Sequence, residues 1–192
     1  MKKIFFLVIT VIITVILISC AGLPKPIEDS DSLITGNFLL DFPDGFFNRP
    51  PITIGHGVTL NFINVNTKKG FSVKTADDGY FRFLSNGRDD YLFLSFEYSK
   101  ESGSHGRYTL SEAPIERKIT NSPHKIIYIG HFIYTYAQVE RGKTTSKGRG
   151  ETKYYKYEQS ISVESNKKAL LEYLQNKQPD SPWLNYEIED RF

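Results

Sequence analysis

From residue 58 onward, apolar side chains return at every second position in short runs, and each run ends in a turn signal. Val58, Leu60 and Phe62 alternate with Thr59 and Asn61, and Phe71, Val73 and Thr75 alternate with Ser72 and Lys74. Successive side chains of a strand point to opposite faces, so each run carries one apolar face that has to be covered. A helix cannot satisfy a two-residue period. Short strands of this kind, repeated between turns, predict a mainly β fold, an antiparallel β-sandwich in which the apolar faces of two sheets cover one another.

The steps between the runs set the expected connections. Ala76-Asp77-Asp78-Gly79 precedes Tyr80-Phe81-Arg82-Phe83-Leu84. Asp-Gly supplies the positive φ of a tight turn, so the runs on either side are expected to form a hairpin. Asn86-Gly87 and Asp89-Asp90 close a second turn before Tyr91 to Tyr98, where strict alternation puts Leu92, Leu94, Phe96 and Tyr98 on one face. Ser99 to Gly106 reads as a loop leading to a weaker run around Tyr108 and Leu110. Ile126 to Ala137 is apolar on both sides, with Tyr128, Phe132, Tyr134 and Tyr136 on one and Ile127, Ile129, Ile133 and Ala137 on the other. Such a strand is expected at the centre of a sheet. Arg141 to Lys153 is rich in Gly and Lys and reads as a loop; beyond it Tyr155, Tyr157, Ile161 and Val163 alternate with polar residues as a half-buried strand. One C-terminal helix is expected over about 165–177: Ser165 can cap it, Leu170, Tyr173 and Leu174 fall at helical spacing, and Pro179 ends it.

The N-terminus has a different character. Met1-Lys2-Lys3 is a short basic head, and Ile4 to Ile18 is apolar except for Thr10 and Thr14, the two parts of an export signal. As a helix this run spans about 22 Å, less than the roughly 30 Å hydrocarbon core of a bilayer, which disfavours a permanent span. The run ends in Leu17-Ile18-Ser19-Cys20, and Cys20 is the chain's one cysteine. This pattern resembles the lipobox of bacterial lipoprotein signal peptides. The resemblance implies cleavage between Ser19 and Cys20, a diacylglycerol on the Cys20 sulfur and acylation of the new amino terminus. An ordinary cleaved signal and an uncleaved anchor are the competing readings; the coincidence of basic head, apolar length, four-residue pattern and sole cysteine favours the lipoprotein. Two or more acyl chains anchor stably without any protein helix. A lone cysteine also leaves no intramolecular disulfide, so stability has to come from the core.

These features divide the chain into a signal peptide over 1–19, a lipidated cysteine with a flexible tether over 20–33, and a β-sandwich domain over 34–192. The tether reading rests on Pro24, Pro26 and a polar run without apolar period. Asp29 and Asp31 mimic the opening of a calcium loop, but Ile34 and Leu40 stand where such a loop needs Gly and Glu, which excludes it. Removing Lys2 and Lys3 from the 24 basic residues leaves 22, against 22 acidic ones. A neutral body has no sequence-wide attraction for nucleic acid, and none is expected as a partner.

Gly57-Val58-x-Leu60-x-Phe62, Thr75-x-x-Asp78-Gly79-x-Phe81-x-Phe83 and Asp90-Tyr91-x-Phe93 together resemble the transthyretin-like, or carboxypeptidase regulatory-like, β-sandwich modules of secreted bacterial proteins. The resemblance covers residues 58 to about 98 and implies a binding or structural module rather than a catalyst.

Motifs for chemistry are sparse. No Gly-x-Ser-x-Gly occurs, and in Gly103-Ser104-His105-Gly106 the adjacent Ser and His of an extended loop point apart. His56, His105, His124 and His131 stand singly, and the offset between the last two puts them on opposite faces of a regular strand, so no metal is expected. Asp77-Asp78 and Asp89-Asp90 are explained as turn formers. No phosphate-binding or dinucleotide-binding glycine pattern is present, and no cofactor is expected. Two features could form a binding surface: the basic loop with Arg141, Lys143, Lys147 and Arg149, which otherwise reads as a mobile hairpin loop kept soluble by its lysines, and the aromatic residues Tyr154 and Trp183, the latter otherwise a lid of the core.

The sequence thus predicts a non-enzymatic envelope lipoprotein, held to a membrane through Cys20 and displayed in the periplasm or at the outer membrane and cell surface. Its domain is expected to act as an interaction or structural module for an envelope or host protein. The alternative is a lipoprotein that binds a small ligand or glycan in a pocket lined by Tyr and Trp183.

Overall fold

The structure, a computed structural model, describes residues 23–44, 50–101, 107–112, 115–141, 145–146, 151–152 and 155–191; side chains are described except at 100–101, 107–112, 138–141, 145–146, 151–152 and 155–157. The chain runs β1 (Ser32–Phe42), β2 (Ile52–Ile54), β3 (Thr59–Asn64), β4 (Gly70–Lys74), β5 (Tyr80–Ser85), β6 (Tyr91–Glu101), β7 (Arg107–Glu112), β8 (Arg117–Ile119), β9 (Lys125–Arg141), β10 (Thr145–Ser146), β11 (Glu151–Thr152), β12 (Tyr155–Glu164), α1 (Lys167–Lys177) and β13 (Glu187–Asp190). A 3-10 turn, Pro182–Asn185, leads into β13.

Two sheets pack face to face, as the alternation requires. The first has the order β12-β9-β1-β2, with β13 also on β9 and β5 also on β1; the second has the order β4-β3-β6-β7, with β8 also on β6. Between them lies a phenylalanine-rich core. Phe38 on β1 sits against Phe96 at 4.9 Å, Phe132 at 6.0 Å and Phe93 at 6.2 Å between ring centres. Phe62 stacks on Phe93 at 4.9 Å and lies 5.9 Å from Phe81. The second sheet is antiparallel throughout, whereas in the first both β1 and β13 run parallel to β9.

A second, smaller core lies on the outer face of the first sheet. Leu170 and Leu174 of α1 and Trp183 of the 3-10 turn pack there with Leu33, Ile126, Tyr128 and Ile188. Burying each of these leucines contributes about 1.5–3 kcal/mol, which is what holds so short a helix. Tyr173 adds a stacked contact with Tyr80 at 4.0 Å, and its hydroxyl accepts a 2.7 Å bond from Arg82. The helix begins one residue later than Ser165 would place it: Asn166 is the cap, its side chain accepting from the Ala169 amide, while Ser165 donates to Asp190.

Several strand expectations change, and β6 runs on to Glu101, three residues into the loop expected from Ser99. The Asp78-Gly79 turn forms, with Gly79 at φ 83° and paired bonds between Ala76, Gly79 and Tyr80, but the strands it joins do not pair. β4 pairs with β3, and β5 crosses to the other sheet to pair with β1, so the expected hairpin is a corner between sheets. In β6, Asn61 faces Ser95 and Phe62 faces Phe93, leaving Leu94 as a bulge. An extra residue flips the alternation. Tyr91 and Phe93 before it and Phe96 and Tyr98 after it are therefore buried, not Leu92 and Leu94. In β9 the register slips at Ile129-Gly130, where Gly130 has φ 110°. Ile127 and Ile129 before the slip, and Phe132 and Tyr134 after it, consequently enter the inter-sheet core together, while Tyr128 faces the helix layer. The central position expected of this strand holds, since β1 flanks it on one side and β12 with β13 on the other. β12 is more open than expected, with Glu158 to Ser162 exposed.

One polar pin ties two turns of the second sheet together. The Asp89 carboxylate accepts side-chain bonds from Asn64, Asn66 and Asn86 at 2.8–2.9 Å. These bonds, first that from Asn64 and then that from Asn66, hold its carboxyl below the usual value. A depressed carboxyl adds stability above its unfolded pKa and loses it as pH falls through the folded value. Acid titration of stability should therefore be shallower in Asp89→Asn than in the parent, as read from urea midpoints across the acid range. At the core, Phe38→Ala should lower the unfolding free energy by about 3–5 kcal/mol, read by the same measurement at neutral pH.

Candidate functional site

The residues expected to form a tether do not dangle. Residues 23–31 run as a strap against the helix end of the sandwich, fixed at nearly every step. Leu23 is 8% exposed and belongs to the outer core, and its amide donates to Gln178 Oε1 at 2.8 Å. The indole Nε1 of Trp183 donates to the Pro24 carbonyl. Asp31 accepts from the amides of Ile27 and Glu28 at 2.6 and 2.9 Å, closing a turn. This bonding accounts for the carboxylate pattern that mimics a calcium loop. The His124 amide donates to the Asp31 carbonyl, and its ring Nδ1 lies 3.1 Å from the Asp29 carbonyl. Gly87 makes room for the strap, because a Cβ there would lie 1.9 Å from the Ser30 carbonyl oxygen. The flexible tether over 20–33 is thus corrected for 23–33: 23–31 are docked, and Ser32 and Leu33 already belong to β1. Pro24 and Pro26, read as linker residues, have fixed φ and lose less freedom on docking than other residues would.

Beside the strap lies an open cleft of about 340 Å³ lined by Leu23, Lys25, Lys177, Gln178 and the turn from Pro179 to Pro182. Its charges are Lys25, Lys177 and Asp180, at its rim and exposed. Behind it the ionisable groups are phenols in low-dielectric surroundings. Burial, with Asp78 adding a smaller push, takes Tyr80 up to about 12, and burial likewise raises Tyr128 and Tyr173. None of these gains a charge near neutrality. His131, on β9, is pushed down by burial, with Glu164 acting in the opposite sense. Among the described residues no group of three or more His, Cys, Asp or Glu side chains converges as a metal site would require.

At the other end of the sheet β9 outruns its neighbour. β1 pairs with it only as far as Thr135, yet β9 continues to Arg141 with β12 beside it, Tyr155 opposite Arg141 and Gln159 opposite Tyr136. This two-stranded arm overhangs the sandwich by about 20 Å at strand spacing. Beyond it β10 and β11 pair through Thr145 with Thr152 and Ser146 with Glu151. The paired part of the arm ends at Arg141 and Tyr155, and most of the basic loop expected over 141–153 lies outside the described residues.

The predicted site residues fare differently. Trp183, read as a surface contact, is fully buried beneath the strap and belongs to the core; an indole needs an acceptor when buried, and Pro24 supplies it. Arg141 closes the arm's ladder through its backbone. Lys143, Lys147, Arg149 and Tyr154 lie outside the described residues, as do Ser19, Cys20 and the Gly103-Ser104-His105-Gly106 segment. Sequence reasoning missed the strap, whose anchors Gln178 and Trp183 lie more than 150 residues away from Leu23 and Pro24. No family model, curated protein or solved structure matches the chain.

Trp183→Phe keeps an aromatic ring in the outer core and removes the bond to Pro24. Stability should fall by about 1 kcal/mol, and cleavage after Glu28 by a glutamate-specific protease should accelerate while the sandwich remains intact.

Proposed function

We propose that the chain is a lipid-anchored lipoprotein of the bacterial envelope, whose β-sandwich is a non-catalytic interaction module. The observation that carries this reading is the placement of the sole cysteine: Cys20 closes Leu17-Ile18-Ser19-Cys20 directly after the apolar run, three residues before the body begins at Leu23. Acyl chains on Cys20 would hold the body at a membrane without a spanning helix, and no described helix is long and apolar enough to span one.

The interaction surface that suits this role is the β9–β12 arm with its basic sequence. The two paired strands continue beyond β1, and the sequence over 140–156 concentrates Arg141, Lys143, Lys147, Arg149, Lys153 and Lys156 against Glu140 and Glu151. Such a sequence suits an acidic protein partner of the envelope or a host. A small-ligand or glycan pocket walled by Trp183 is disfavoured, because that ring lies buried under the strap.

Cells fed labelled palmitate should yield a labelled protein in the particulate fraction, with a diacylated or triacylated amino-terminal peptide by mass. Cys20→Ser should be unlabelled and released. An unlabelled parent protein would refute the anchor.

A further inference from the structure

We infer that the docked strap makes this a lipoprotein of fixed orientation: the end carrying Leu23, Lys25 and Lys177 rests on the bilayer surface, and the basic arm points away from it. The inference rests on lipidation of Cys20, as proposed above, and adds the geometry.

The leash is short. Leu23 is buried and bonded to Gln178, so only the three links from Cys20 to Leu23 separate the acylated residue from the body. Three links reach at most about 11 Å, so Leu23 stays within that distance of the acylated residue, only a few ångströms more than one headgroup layer is thick. A free tether ending at Leu33 would have reached several times further and let the domain tumble. With the strap docked, the surface around Leu23 cannot leave the headgroup region. That surface carries the exposed cations Lys25 and Lys177 beside the exposed carboxylates Glu28, Asp29 and Asp180, so the short leash rather than net charge keeps it there, and Ile27, 83% exposed, stands on the same strap as an apolar side chain open to the interface.

The topology then sets the other end. β1 leaves the strap at Ser32 and runs parallel to β9, with Leu33 opposite Ile126. Arg141 is fifteen residues further along β9, about 50 Å away at strand spacing. A basic loop on a lipoprotein invites the reading that it binds the anionic headgroups of its own membrane. Here β9 carries Arg141, where that basic sequence begins, to the end opposite Leu33, so a partner of the arm lies across the gap from the anchoring bilayer.

The test uses the full-length acylated protein in phosphatidylethanolamine–phosphatidylglycerol vesicles containing a headgroup nitroxide quencher. Cys20 is blocked by its lipid, so a maleimide fluorophore reports one introduced thiol, in Asp180→Cys beside the strap or Gln159→Cys on β12, both at exposed positions. The Asp180→Cys label should lose most of its emission and the Gln159→Cys label little. Adding Leu23→Ser with Gln178→Ala should free the strap and bring the two signals together while the protein still floats with the vesicles. Equal quenching of both labels in the parent background would overturn the fixed orientation and leave the anchor standing. An undocked variant that keeps the parent contrast would overturn the role of the strap. A protein that carries no acyl group and does not float would overturn the anchor itself, and the orientation with it.

Discussion

The parallel pairing of β1 with β9 governs the layout of the molecule. Eight paired positions, from Leu33 opposite Ile126 to Asp41 opposite Thr135 with one slip at Gly36, bind the first strand to the longest. A parallel pair cannot be joined by a tight turn, so the chain between them has to cross over. Here that crossover contains the entire second sheet, and the sandwich is closed by the same constraint. Because both strands start at one end, the strap before β1 and the arm at the end of β9 are opposed. β9 also has to serve two cores, and the slip at Gly130 lets Ile127, Ile129, Phe132 and Tyr134 share the inner one while Tyr128 turns to the helix.

Much of this was legible in the sequence, and the misses have identifiable causes. Alternation located β3 and β4 and their inward residues Val58, Leu60 and Phe62, all essentially inaccessible. Apolarity on both sides marked β9 as central, and spacing with Pro179 bounded α1 to within two residues. Alternation fails wherever a strand bulges. Gly130, a lone glycine between apolar runs, is a visible signal of such a site, but nothing in Leu92-Phe93-Leu94-Ser95 marks the bulge at Leu94. Turn chemistry at Asp78-Gly79 correctly placed a reversal, but a turn does not state whether its two strands stay in one sheet. The choice between hairpin and corner is made by long-range packing of Phe81 on Gly36, where a Cβ would come within 2.7 Å of the ring.

The candidate site was legible only at its chemical end. Cys20 and its context form a local sequence pattern, and the proposed lipidation rests on that pattern alone. The docking of residues 23–31 could not be read locally, since a stretch with two prolines and four carboxylate or hydroxyl residues looks solvated when its partners are remote. Leu23 and Trp183 are the residues whose roles invert: the first is an anchor where a linker was expected, and the second is core where a contact was expected. Together they turn what a local reading leaves as a free linker into a docked strap.

The account stands on the strap being docked, and amide hydrogen exchange of residues 23–31 tests that most directly. If the strap is held as described, the Leu23, Ile27 and Glu28 amides exchange far more slowly than in an unstructured peptide of the same sequence, as do the Asp31 and His124 amides that tie it down. Exchange of the strap amides at unstructured-peptide rates, with β1 and β9 still protected, would contradict it.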